Sequence, residues 1–174
     1  MLYLLILLAF VFFAAIALCV SEGLWNNTIT LTSVILCGIS AFLFGVPLGN
    51  FVVEKAGASG DSVWYFVFGV VWIVFAASIL IFRLLTEKAS GVRMKFIPQL
   101  DTIGGLLMGF LLAVLFTSFA SLTILRIPIK AGYWDMTKAP DWQKQAFQTT
   151  SAPFYHIVKR VSQADGARSS LIGK

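Results

Sequence analysis

Charge is what this sequence has least of. Of its 174 residues only 12% are Asp, Glu, Lys or Arg, where an ordinary soluble domain carries about 25%. Hydrophobic residues make up 59% and the mean hydropathy is +0.89. A soluble domain of this size leaves too much surface in water to hide so many apolar side chains. A disordered chain is excluded by the same figures, because disorder goes with low hydrophobicity. Reactive side chains are scarce too: one histidine, two cysteines and eight carboxylates. Metal sites and acid–base catalysis draw on those residues, so no catalytic, cofactor or metal site is expected. Cys19 and Cys37 lie in separate apolar runs and form neither a disulfide framework nor a zinc pattern.

What is present is long apolar runs. A helix needs about 20 mostly apolar residues to cross roughly 30 Å of hydrocarbon. Four segments qualify: Leu2 to Val20, a second that begins after Asn26 and Asn27 and continues through Leu31 to about Val46, Val63 to about Phe82, and Ile103 to Leu125. Backbone groups in lipid must be satisfied within the segment, and none of the four alternates as a barrel strand would. The fold class is therefore an all-α membrane protein with four transmembrane helices. The first run is retained as a span and not cleaved as a signal peptide, since no Lys or Arg precedes its apolar core. Pro47, Gly49 and Asn50 are expected to end the second helix, with Gly45 and Gly49 serving that stop.

The formal charge of +5 is concentrated toward the C-terminus. It suits anionic lipid headgroups and gives no reading surface for nucleic acid. Near the helix ends, Lys55, Arg126, Lys130, Lys138 and Lys144 share the side of the termini, against Arg83, Lys88, Arg93 and Lys95 opposite. That near balance does not orient the chain. Trp25, Trp64, Tyr65 and Trp134 fall where interfacial aromatics anchor helices, whereas Trp72 is mid-helix and requires a packing partner or lipid. Arg83 is close enough to its helix end to reach the interface.

The fourth segment holds the most regular pattern. Gly105, Gly109, Ala113, Thr117 and Ser121 recur every four residues, which sets them on one slanting stripe of a helix. In lipid, such a stripe lets two helices approach closely, and it is the expected packing seam. Leu112 is read as facing lipid. Asp101 directly precedes this run and is expected to cap or anchor its helix. Hydroxyls at Thr28, Thr30, Thr32, Ser33 and Ser40 can bond back to their own helix carbonyls, so they require no pore. No ionisable residue lies deep in a span, which disfavours coupled transport by a single copy.

Residues 1–130 form the transmembrane domain and 131–174 a compositionally separate tail. Within the tail, Phe154, Ile157, Val158 and Val161 recur at helical spacing beside Lys159 and Arg160. Pro153 fits the first turn of a short helix with Ser151 as its cap. The result is a C-terminal interfacial amphipathic helix, lying on the headgroups or on the bundle. His156 is an interfacial side chain there.

The order of these features resembles the colicin V production protein family of small bacterial inner-membrane proteins. Asp101-Thr102-Ile103-Gly104-Gly105-Leu106-Leu107-Met108-Gly109 is similar to that family's aspartate followed by glycines at the start of the last helix. Leu85-Thr86-Glu87-Lys88 and the Glu22-Gly23-Leu24 turn are also similar. The resemblance implies a non-enzymatic, multi-pass protein of the bacterial inner membrane that supports toxin production, export or envelope maintenance. Asp101, Gly105 and Gly109 would be structural in it. The expected partners are the lipid bilayer and either a second copy or another membrane protein. The competing reading is a small channel or transporter formed by several copies.

Overall fold

A computed structural model describes residues 2–20, 23–60, 62–89, 97–127 and 139–164. The described residues form five helices and no strands: α1 Leu2–Val20, α2 Leu24–Ala56, α3 Ser62–Ala89, α4 Pro98–Arg126 and α5 Asp141–Ala164. The first four are each long and apolar enough to cross a membrane. Glu22, Arg93, Lys95, Lys130, Tyr133, Trp134, Lys138 and the 130/131 boundary lie outside the described residues.

The second helix does not stop at Pro47. It runs 33 residues, to Ala56, with Pro47 inside it, a length of about 50 Å. Proline removes one ladder bond, but the apolar sequence continues through Phe51, Val52 and Val53. The stop is Gly57, at φ 63°. There Ala58 N–H donates to the Val53 carbonyl and Gly57 N–H to that of Glu54, the Schellman closure that favours glycine. Gly45 and Gly49 have a different role from the one expected. A Cβ on Gly45 would stand 2.9 Å from Val71 Cα, and one on Gly49 3.0 Å from Val67 Cα. The two glycines are therefore the seam along which α2 and α3 meet, main chain against side-chain-free surface.

Helix α4 is the hub, packing against α1, α2 and α5, while α3 packs chiefly on α2. That crowding corrects the reading of Leu112, which is 6% exposed and not lipid-facing. The outward face of α4 is Ile103, Leu106, Leu107, Phe110 and Leu111. Phe119 lies at the centre. Its ring stacks on Phe75 of α3 at 4.3 Å and meets Trp72 of α3, Phe42 of α2 and Phe154 of α5 at 5.5, 5.6 and 5.3 Å. Trp72 thus has its packing partners. The indole N–H groups of both Trp25 and Trp72 are buried and have no acceptor among the described residues.

The tail helix is longer than expected and begins earlier. Pro153 lies in the middle of α5, not in its first turn. Two serines of α4 take up backbone groups near it: Ser118 Oγ accepts the Phe154 N–H at 2.9 Å, and Ser121 Oγ donates to the Phe147 carbonyl at 2.9 Å. Phe147 and Phe154 are fully buried. The Phe154 ring sits so close to Gly38 of α2 that a Cβ there would fall 2.5 Å from its Cζ.

Candidate functional site

Polar side chains gather where α1 stops and α2 and α4 start. Asp101 stands one turn inside α4, whose N-cap is Ile97 without a side-chain cap. It therefore does not cap its own helix. Its Oδ1 accepts the Leu24 N–H of α2 at 2.8 Å. Leu24 is the first residue of α2, so the carboxylate satisfies an orphan donor at that helix's positive end. Gly23 makes the approach possible, since a Cβ there would lie 2.8 Å from both carboxylate oxygens.

Asn27, one turn further along α2, is 1% exposed. Its Nδ2 donates to the Cys19 carbonyl of α1 at 3.0 Å and to the Gly105 carbonyl of α4 at 2.8 Å. One amide therefore ties three helices together. The glycines of α4 give it room. A Cβ on Gly109 would stand 2.8 Å from Cys19 Cβ and 3.4 Å from Asn27 Nδ2, and one on Gly104 would enter the Leu24 side chain.

The small-residue stripe divides between two tasks. Gly105 and Gly109 receive Asn27 and α1 at this junction, and Ser121 holds α5 toward the other end. Ala113 between them is fully buried, and Thr117 is buried with no partner for its hydroxyl among the described residues. Sequence reasoning placed Asp101, Gly105 and Gly109 but missed Asn27, which reads as one of two asparagines in a polar link. The usable signal was its place one turn into a helix, level with glycines on another.

Elsewhere the span hydroxyls are turned inward on their own helices. Thr28, Thr30, Thr32, Ser33 and Ser40 each donate to the carbonyl four residues earlier, at 2.8–3.0 Å. No group of three or more His, Cys, Asp or Glu that could hold a metal is found among the described residues. A groove of about 270 Å³ between α1 and α4 is lined by Ile16, Leu106, Leu107, Gly109 and Phe110, all without polar side chains.

Four membrane-crossing helices, three of them (α1, α2 and α4) joined at one end by side chain-to-backbone bonds, with a fifth helix folded against α4, define a helical membrane protein. The sequence pattern of the Colicin V production protein family matches residues 4–161. The chain belongs to that family. No curated protein and no solved structure matches it.

Proposed function

We propose that this protein is a non-enzymatic component of the bacterial inner membrane that supports toxin production, export or envelope maintenance by binding a second membrane protein. The observation that carries the reading is the fate of the polar side chains in the spans. Asn27 is spent on two backbone carbonyls, and the hydroxyls of α2 are spent on their own helix. A conduction path needs polar groups facing a lumen, whereas here they are bonded to helix carbonyls. The outward faces of α1 and α4, with Phe10, Phe13, Leu106 and Phe110 exposed, are the apolar surface on which lipid or a partner's helix would pack.

The test has two arms. Purified protein in liposomes should pass ions and small solutes no faster than protein-free liposomes. Cross-linking from Leu106 or Phe110 in native membranes should capture a discrete membrane protein. Selective flux through the liposomes would replace this reading with that of an oligomeric channel.

A further inference from the structure

Eight of the thirteen Lys and Arg residues, and only three of the eight carboxylates, lie at or after Arg126. That segment therefore carries the whole net charge of +5. The structure shows where much of it is displayed. Helix α5 turns Gln143, Phe147, Ser151 and Phe154 inward, leaving His156, Lys159 and Arg160 exposed on its outer side. Between Trp142 and Ala164 it has no carboxylate, and Asp141 at its start pairs with Lys144 at 3.6 Å. The exposed Arg126, last residue of α4, lies with its guanidinium 5.4 Å from the Tyr155 ring centroid. Tyr155 and Lys159 are one turn apart on α5. Arg126, Lys159 and Arg160 thus belong to one basic cluster at the end of the bundle where α4 stops.

We propose that this cluster binds the headgroups of anionic phospholipids in the leaflet at that end. Charge complementarity selects the occupant: two guanidinium groups and an ammonium on one exposed surface match phosphate oxygens. The state of the apolar face selects the mode. An ordinary interfacial helix buries its apolar side in the acyl boundary and is sensitive to curvature. Here that side is already taken, since Phe147 and Phe154 are sunk in the bundle. What α5 offers the membrane is its polar side, so attraction is by charge and falls as salt shortens the screening length. The wide-set aromatics fit the same placement, with Trp142 exposed at the start of α5 and able to sit at headgroup level.

The test uses the full chain in bilayers of phosphatidylcholine and phosphatidylglycerol in equal parts. Spin-labelled phosphatidylglycerol or phosphatidylcholine reports the fraction of each lipid immobilised by the protein. The unaltered protein should immobilise phosphatidylglycerol preferentially, and rising salt should erode the preference. Each of Arg126→Gln, Lys159→Gln and Arg160→Gln should lower it about fivefold, the effect of removing one cation from a membrane surface. Vesicle curvature should leave it unchanged. The salt series needs no variant, and the Lys159→Gln/Arg160→Gln pair alters only exposed positions. Equal immobilisation of the two lipids by the unaltered protein, a preference indifferent to salt, or full retention of it in the triple variant would overturn the proposal.

Discussion

Replacing Asn27 with Ala removes both bonds that its amide donates, one to α1 and one to α4, so it probes the junction directly. The acceptors are the Cys19 carbonyl in the last turn of α1 and the Gly105 carbonyl inside α4. Interhelical hydrogen bonds in membranes average about 0.6 kcal/mol and reach about 1.7. Two of them at that average give an expected loss of about 1 kcal/mol. Asn27→Asp should be worse at neutral pH, because a carboxylate accepts and would face two carbonyl oxygens now held at 3.0 and 2.8 Å. Reversible unfolding in lipid–detergent mixtures would rank the proteins Asn, then Ala, then Asp. An Ala variant as stable as the unaltered protein would refute the reasoning.

Substitutions at three further positions address other contacts. Gly45→Ala would push a methyl to within 2.9 Å of Val71 Cα, a backbone atom that cannot yield, and should cost about 1–3 kcal/mol in the same unfolding measurement. Gly69→Ala meets nothing within 4 Å and should be neutral or stabilising by up to about 1 kcal/mol. Asp101→Asn keeps an oxygen for the Leu24 N–H and should give near-normal yields of monodisperse protein. Asp101→Leu leaves that donor unmet and should lose about 1–2 kcal/mol, seen as a lower yield.

The four spans were legible because uninterrupted apolar length is itself the physical requirement for crossing lipid. The end of α2 was not, because Pro47 and Gly49 carry stop signals whose local cost is overruled by tertiary contact. In water those residues end helices; against Val67 the same glycine becomes a point of close packing. Pro153 misled in the same way. Its local preference for a first turn yields to an α4 whose Ser118 accepts the neighbouring N–H. Asp101 was legible as a capping residue but not as the cap of another helix, since spacing along a chain reveals only partners nearby in that chain. Asn27 was hidden for that reason too, its acceptors lying 8 and 78 residues away.

The position of α4 has a consequence for the order of events during synthesis. Helices α2 and α3 are consecutive and meet along their glycine seam, so that hairpin can close as soon as it is made. Helix α1 cannot follow suit, because its principal neighbour is α4, whose far end, Arg126, emerges 106 residues after Val20. At about 5–20 residues per second, α1 waits roughly 5–20 s for its partner. Its sequence equips it for the wait: between Leu2 and Val20 it has no charge and, Tyr3 and Cys19 apart, only hydrocarbon side chains. Helix α1 is thus built to live in lipid until the helix that receives it arrives.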